Sequence, residues 1–229
     1  MVNRLSRRSV HDKRADSVAV IGLGRFGASV ALELMSIGAE VFGIDADEEV
    51  VQRFNGQLTN VVQADTTDEV ALQELSLAEF DKVVVSIGSK LEASILTCSL
   101  LLDMGVPDVW AKATSIPHGR ILSQLGAHHV VYPETEMGKR IAHRVRGALL
   151  DFIEIGTDFA LVRTEVPAAL AGGTIDEALC WRKYKVKPVA VKSPSLGWLP
   201  IVSDTIVNEG DLIQVVGKIE QVEAFARVQ

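Results

Sequence analysis

The chain has 229 residues, 48% hydrophobic and 23% charged, so it can bury a substantial core in one large domain or two small ones. Its formal net charge of −7 argues against nucleic acid as the main partner. No run reaches the roughly 18 uncharged apolar residues that a membrane span requires.

The first 16 residues are basic and contain Arg4, Arg7, Arg8, Lys13 and Arg14. They lack the apolar stretch of a secretory signal peptide. We therefore predict a solvated, disordered tail over residues 1–16. Contact with anionic lipid or an acidic partner is the alternative role for this tail.

A strand–helix alternation begins at residue 17. Apolar runs that end in glycine or an acid predict strands, and apolar residues at helical spacing predict the helices between them. The predicted strands are 17–22, 40–45, 60–65, 82–88, 108–113 and 128–133, and the predicted helices are 25–38, 47–55, 68–77, 91–105, 116–126 and 135–150. Aromatic residues make up only 5% of the chain, as suits a parallel sheet buried on both faces. This half predicts an α/β fold, a Rossmann-like doubly wound parallel sheet over residues 17–148.

The pattern changes near residue 149, where strands become more frequent than helices. Two strands are predicted within 151–166, and shorter ones at 187–193, 199–204 and 211–218. Helices are predicted within 169–185 and 222–228, and residues 208–211 are predicted to form a hairpin turn. The sequence thus predicts a second, small α+β domain over residues 149–229.

A glycine-rich loop follows the first predicted strand and opens the first predicted helix. Gly22, Gly24 and Gly27 form the pattern Gly-x-Gly-x-x-Gly, and Phe26 lies inside it. Gly22 permits a tight turn, Gly24 lets phosphates approach the backbone, and Gly27 allows close helix–strand packing. Because the helix start attracts anions, we predict that an adenine nucleotide places its phosphates here. A tight turn without a ligand is the alternative.

Acidic residues follow the second and third predicted strands. Asp45 ends the second strand, where a carboxylate accepts hydrogen bonds from ribose hydroxyls and repels the 2′-phosphate of NADP. Asp47 is a second ribose candidate, and Asp65 is a candidate for the adenine edge. For both, a helix cap is the alternative role. The backbone at the end of the fourth strand is predicted to line the same pocket, at Ser86, Ile87 and Gly88.

Arg25 lies inside the glycine loop, where its guanidinium can reach terminal phosphates. A dinucleotide pyrophosphate held by backbone N–H groups does not require this cation. A β,γ-phosphate pair carries more charge, so Arg25 favours ATP or ADP. A solvated arginine or a salt bridge is the alternative.

No catalytic set accompanies these residues. None of the five histidines shares a strand end with an acid partner, and Cys98 and Cys180 lack metal-ligand spacing, so we expect reduced thiols in a cytoplasmic protein. For His118 we expect a surface or capping role, and for His128 and His129 one buried and one exposed ring. The sequence therefore predicts a sensor rather than an enzyme.

Four segments carry a resemblance to a known family: GLGRFG at 22–27, QADTTDE at 63–69, VWAKA at 109–113 and YPETEMG at 132–138. Over residues 17–229 the chain resembles the RCK (regulator of conductance of K⁺) family, the regulatory subunits of Trk/Ktr-type bacterial potassium transporters. One Rossmann unit followed by one C-terminal unit resembles the Ktr type more than the two-repeat Trk type.

The resemblance implies homodimers that assemble into an octameric ring on the cytoplasmic face of a potassium-translocating membrane subunit. ATP and ADP would compete for the site, and the shape of the ring would gate the pore. Arg25 would contact the γ-phosphate, and Lys112 would face the ligand. Glu134 would lie near the γ-phosphate of a neighbouring site and help hold a divalent cation. The helix from about residue 136 would cross to the partner subunit.

The implied role of Glu134 is physically consistent. Its carboxylate would be repelled by a triphosphate unless Mg²⁺ or Ca²⁺ bridged the two. ADP would lose the contacts of the γ-phosphate, and such differential contacts are what shift a conformational equilibrium. A helix N-terminal acid that binds no metal is the alternative.

Other function classes stay open. An NAD-dependent oxidoreductase would need an acid–base residue and a substrate pocket, and an NADH-binding redox repressor would need a basic DNA-binding module. Asp45 fits NAD(H) as well as ATP. For the surface around residues 187–193 of the second domain, the family resemblance implies two alternatives: cyclic di-AMP bound at a dimer interface, or dimerisation alone.

Overall fold

The structure is a computed structural model that describes residues 16–146 and 149–228. The predicted basic tail, apart from Asp16, lies outside these ranges. Contacts divide the chain into two units between Pro133 and Glu134. The sequence interpretation drew the domain boundary near residue 148 instead, and a helix over Pro133–Val145 lies between the two positions.

The first unit contains a six-stranded parallel sheet with the order β3-β2-β1-β4-β5-β6. Its strands are β1 (Ser17–Ile21), β2 (Glu40–Asp45), β3 (Asn60–Gln63), β4 (Lys82–Val85), β5 (Val109–Lys112) and β6 (His129–Val131). The helices are α1 (Arg25–Ser36), α2 (Glu48–Phe54), α3 (Glu69–Glu74), α4 (Leu91–Asp103) and α5 (Ile116–Leu125). This strand order is that of a Rossmann fold, so the predicted fold class is confirmed.

The central strand β1 is buried on both faces. Ala19 and Ile21 join the larger core cluster of this unit. Val18 and Val20 point to the opposite face and join the smaller one. Alternate side chains of a strand point to opposite faces, so a nearly continuous apolar run can fill both layers under the helices.

The second unit contains a five-stranded antiparallel sheet, with the order β11-β10-β13-β8-β7, and a separate two-stranded pair, β12-β9. Its strands are β7 (Asp151–Ile155), β8 (Phe159–Glu165), β9 (Gly173–Thr174), β10 (Val186–Ser193), β11 (Gly197–Pro200), β12 (Ile206–Val207) and β13 (Leu212–Lys218). Its helices are α6 (Pro133–Val145), α7 (Glu177–Tyr184) and α8 (Ile219–Phe225). Cys180, Val222 and Phe225 connect α7 and α8 to the core of the sheet. The prediction of a smaller α+β unit is confirmed.

Residues 208–211 form a turn, but the predicted hairpin is wrong. The Asn208 N–H donates to the Asp211 carboxylate at 2.8 Å, and Gly210 has a φ of +83°. However, β12 pairs with β9, whereas β13 pairs with β8 and β10. The turn therefore carries the chain from one sheet to another. The residues of the turn specify a chain reversal. Contacts with residues distant in sequence determine which strands β12 and β13 pair with.

Helix α6 is attached to the second unit through polar side chains. The Arg140 guanidinium donates two hydrogen bonds of 2.9 Å to the Asp151 carboxylate. His143 Nδ1 lies 2.8 Å from a carboxylate oxygen of Glu223 on α8, and its ring stacks on Phe152. Through these contacts α6 packs against β7 and α8 and belongs to the second unit.

The histidines differ from expectation. His118 is buried, and α5 is capped by Ser115, whose hydroxyl accepts a hydrogen bond from the His118 N–H. The expected surface or capping role of His118 is therefore wrong.

His128 and His129 are both exposed. His129 stacks on the Trp110 ring, and its Nε2 lies 3.4 Å from a carboxylate oxygen of Asp108 at the same end of the sheet. The expectation that no histidine shares a strand end with an acid partner is therefore wrong.

Both cysteines are buried and free. Burial raises the pKa of the Cys98 thiol to about 11. In the described part of the chain, no helix has the length and apolar character needed to cross a bilayer.

We predict that Asp151→Asn destabilises the protein in a pH-dependent manner. Burial alone would raise the pKa of Asp151, but the hydrogen bonds from Arg140 and Phe152 and the nearby arginine charges outweigh it and hold the pKa below 3.8. A carboxyl with a depressed folded-state pKa contributes stability above its unfolded pKa and loses it as the pH falls through the folded value. The loss at pH 7 should be about 1 kcal/mol in urea denaturation.

The difference between wild type and Asp151→Asn should shrink as the pH falls below 4, toward the folded pKa. Asp204→Asn is the matched control, since Asp204 is exposed and forms no hydrogen bond or ion pair with the described residues. A destabilisation independent of pH would contradict this account.

Candidate functional site

The turn between β1 and α1 has the geometry that its glycines predict. Gly22 adopts a φ of +86°, which confirms the tight turn. A β-carbon at Gly27 would collide with the Gly22 carbonyl oxygen and the Ser86 hydroxyl, so only glycine allows this helix–strand distance. Around Gly24, in contrast, no atom would lie within 4 Å of an added β-carbon. The loop is therefore tightly packed at Gly27, next to Ser86, and has free space around Gly24.

The first turn of α1 contains backbone donors that have no partner among the described residues. Gly24 is the N-cap residue, no side chain caps the helix, and its first turn contains no acidic residue. The N–H groups at the start of this 12-residue helix are thus available to an anion, and the helix dipole adds positive potential there.

Asp45 fastens the end of β2 to the glycine loop. One carboxylate oxygen accepts the Leu23 N–H at 2.6 Å, and the other accepts the Asp47 N–H at 3.0 Å. An ionised carboxylate has about four acceptor positions, so two remain for ribose hydroxyls. The carboxylate is also fixed in place before any ligand arrives.

Asp47 and Asp65 have structural roles within their own turns. Asp47 caps α2 by accepting the Glu49 N–H at 2.9 Å. Asp65 accepts the Thr67 N–H at 3.0 Å and the Thr67 hydroxyl at 2.7 Å. These two bonds, with a smaller contribution from the Lys90 charge, lower the pKa of Asp65. Both side chains are exposed at the carboxyl edge of the sheet.

Ser86 connects the end of β4 to the same turn. Its hydroxyl donates to the Gly22 carbonyl oxygen in a short hydrogen bond and lies 3.1 Å from the Ile21 carbonyl oxygen. Strands β1 and β4 are neighbours at the point where the strand order reverses, which is where doubly wound folds bind ligands. The sequence indicated only the backbone of Ser86, Ile87 and Gly88. No local pattern identifies the Ser86 hydroxyl as a structural contact.

Lys112 joins this site from the end of β5. It is 8% exposed, and its Nζ lies 5.4 Å from the centre of the Phe26 ring. A β-carbon added at Gly88 would lie 3.5 Å from the same Nζ. The structure thus brings Phe26, Gly88 and Lys112 together beside the glycine loop, which the spacing in the sequence could not show.

Arg25 is exposed at the first position of α1. Within residues 16–146 and 149–228 its side chain forms no hydrogen bond or ion pair, so the salt bridge considered as an alternative is absent from this range. Its guanidinium extends from the turn that presents the free N–H groups.

Glu134 belongs to the second unit, where it is exposed in the first turn of α6. The N-terminal end of a helix favours a carboxylate at this position. Among the described residues, no three His, Cys, Asp or Glu side chains are grouped as metal ligands.

The match to a known protein family ends at the same residue as the first unit of the chain. The TrkA-N domain model matches residues 18–133. The chain is 36% identical over 210 residues to Ktr system potassium uptake protein C of Bacillus subtilis, covering 91% of this chain and 95% of that protein. It is 36% identical over 207 residues to Ktr system potassium uptake protein A of Vibrio alginolyticus, covering 87% of this chain and 91% of that one.

Solved structures share the fold at lower identity. The GsuK RCK domain aligns with a TM-score of 0.65 at 19% identity, covering 95% of this chain and 48% of that chain. The GsuK channel bound to NAD aligns with a TM-score of 0.63 at 18% identity, covering 93% of this chain and 39% of that chain. The chain therefore belongs to the family of TrkA-N domain proteins that includes the Ktr system potassium uptake proteins.

Proposed function

We propose that this protein is a regulatory subunit that binds ATP and ADP and gates a membrane potassium channel or transporter. Its similarity to Ktr system potassium uptake proteins over nine-tenths of its length supports the transport role. The observation that carries the nucleotide assignment is the uncapped start of α1, which lies between the anchored Asp45 carboxylate and the exposed Arg25.

The proposed ligand lies across the carboxyl edge of the sheet. Its ribose hydroxyls donate to Asp45, and its phosphates accept hydrogen bonds from the first N–H groups of α1. Asp47, Asp65 and the 86–88 segment line the ribose and adenine side. The ammonium of Lys112 adds positive charge beside Phe26.

Arg25 and Glu134 are the residues proposed to distinguish ATP from ADP. The Arg25 guanidinium offers a charge-assisted hydrogen bond to the γ-phosphate. Glu134, from a neighbouring site in the assembly, would help hold Mg²⁺ or Ca²⁺. One carboxylate with phosphate oxygens is a usual ligand set for Mg²⁺. A ligand that gains these contacts in one ring shape shifts the equilibrium toward that shape.

NAD(H) is the second candidate ligand. Asp45 recognises the ribose of either nucleotide, and the GsuK channel, which shares this fold, has been solved bound to NAD. On this alternative the protein senses the redox state of the cell, or serves as an NAD-dependent oxidoreductase. Arg25 favours the adenosine phosphates.

We also propose the assembly that the family resemblance implies: homodimers in an octameric ring, peripheral to the inner face of the membrane on a potassium-translocating subunit. Large apolar side chains are exposed on α4, α5 and α6, which supports subunit contacts through these helices. They include Leu91, Leu96, Ile116, Ile121, Leu125, Met137, Ile141 and Val145. Cyclic di-AMP at the dimer interface of the second unit is a further candidate ligand.

Isothermal calorimetry with ATP, ADP, NADH and NADPH tests the nucleotide assignment. We expect micromolar-range affinities for ATP and ADP and weaker binding of NADH. NADPH should bind most weakly, because its 2′-phosphate meets the Asp45 carboxylate. Tight NADH binding without ATP binding would overturn the assignment.

Arg25→Ala should weaken ATP binding about tenfold, the value of one charge-assisted hydrogen bond, and should affect ADP less. Arg53→Ala is the control, because Arg53 is an exposed arginine in the last turn of α2. Equal losses of affinity for ATP and ADP, measured by the same calorimetry, would contradict the proposed contact between Arg25 and the γ-phosphate.

Light scattering coupled to size exclusion tests the assembly. The purified chain, with a mass of 24.8 kDa, should elute as a homo-oligomer approaching an octamer. A monomer at every concentration would overturn the ring.

A further inference from the structure

His118 is a buried histidine at the carboxyl edge of the first unit. It lies in the first turn of α5, directly after the loop that leaves β5, and is 1% exposed. Neither the nucleotide contacts nor the cap of α5 requires a histidine at this position, since Ser115 provides the cap.

The hydrogen bonds of the His118 ring define its tautomer. Nδ1 lies 3.3 Å from the Thr114 amide nitrogen and 3.3 Å from the Thr114 hydroxyl. Because the amide can only donate, Nδ1 accepts, and the neutral ring carries its proton on Nε2. Nε2 is buried and has no hydrogen-bond partner among the described residues.

This arrangement is unfavourable for a residue whose only role is packing. Burial lowers the pKa of His118 below 6.5, so the ring is neutral at physiological pH. A buried donor without a partner costs free energy, whereas an apolar ring would avoid that cost. The contact with Thr114 is what distinguishes histidine from phenylalanine here.

Thr114 connects His118 to the candidate nucleotide site. It is exposed and lies two residues after Lys112. Its methyl carbon would lie 3.7 Å from a β-carbon added at Gly88, next to the Lys112 ammonium. The loop that contacts the His118 ring therefore lies beside Gly88 and Lys112 at the candidate nucleotide site.

We propose that His118 is a positioning residue for the nucleotide site, which holds the Thr114 amide and hydroxyl so that the loop after β5 keeps its place against Gly88. The inference rests on the proposed nucleotide binding and adds a residue that does not touch the ligand. On this proposal, the contact between His118 and Thr114 contributes to nucleotide binding rather than to the stability of the fold.

The experiment compares three variants of the full chain by calorimetry with ATP and ADP and by thermal unfolding. His118→Phe removes the acceptor but keeps an aromatic ring, and His118→Asn keeps an acceptor near the position of Nδ1. His128→Phe is the matched control, since His128 Nδ1 also accepts a backbone N–H, from Val109 at 2.9 Å, at the opposite end of β5.

We expect His118→Phe to weaken both nucleotides by about three- to tenfold, the value of one or two hydrogen bonds, without lowering the melting temperature. His118→Asn should restore most of the affinity, and His128→Phe should bind as wild type. Wild-type affinity in His118→Phe, or equal losses in all three variants, would overturn the role of His118.

A measurement on the wild type keeps the inference testable if His118→Phe does not fold. In ¹⁵N-histidine-labelled protein, saturating ATP should shift the His118 Nδ1 resonance and leave that of His128 unchanged. Equal or absent shifts would overturn the inference. Failure of the wild type to bind any nucleotide would instead overturn the proposed function itself.

Discussion

The close approach of three chain segments at the carboxyl edge of the sheet is the constraint on which the rest of the site depends. The Gly22 turn, the Gly27 position on α1 and the Ser86 hydroxyl occupy a space that admits no β-carbon at Gly27. This contact fixes the direction in which α1 leaves the sheet. The N–H groups at its start are thereby aimed at the switch point between β1 and β4.

Local positive potential, not net charge, determines whether this edge can bind phosphates. The chain as a whole carries −7, and the edge itself contains Asp45, Asp47 and Asp65. Each of these carboxylates accepts a backbone N–H of the glycine loop or a neighbouring turn, which offsets part of its negative charge. The helix start and Arg25 remain for the ligand, so an acidic protein can still bind an anion.

The features of the site that the sequence predicted are those that depend on local chemistry. The glycine spacing identified the turn and the close packing, because each role is imposed on one residue by its own backbone. Asp47 could not be assigned between ribose and cap, since both roles require the same carboxylate at the same position. The burial of His118 and the strand partner of the 208–211 turn depend on residues distant in sequence. No pattern within either segment specifies them.

The proposed sensor needs several sites to respond fully. Shifting a two-state equilibrium from 1:99 to 99:1 requires about 5.5 kcal/mol of differential binding. One Arg25–phosphate contact supplies about 1.5–3 kcal/mol at most. If eight sites in a ring change shape together, each needs to contribute only about 0.7 kcal/mol. On the proposed function, the exposed apolar residues on α4 and α5 would belong to the sensing mechanism, because a weak contact per site becomes sufficient only when the subunits are coupled.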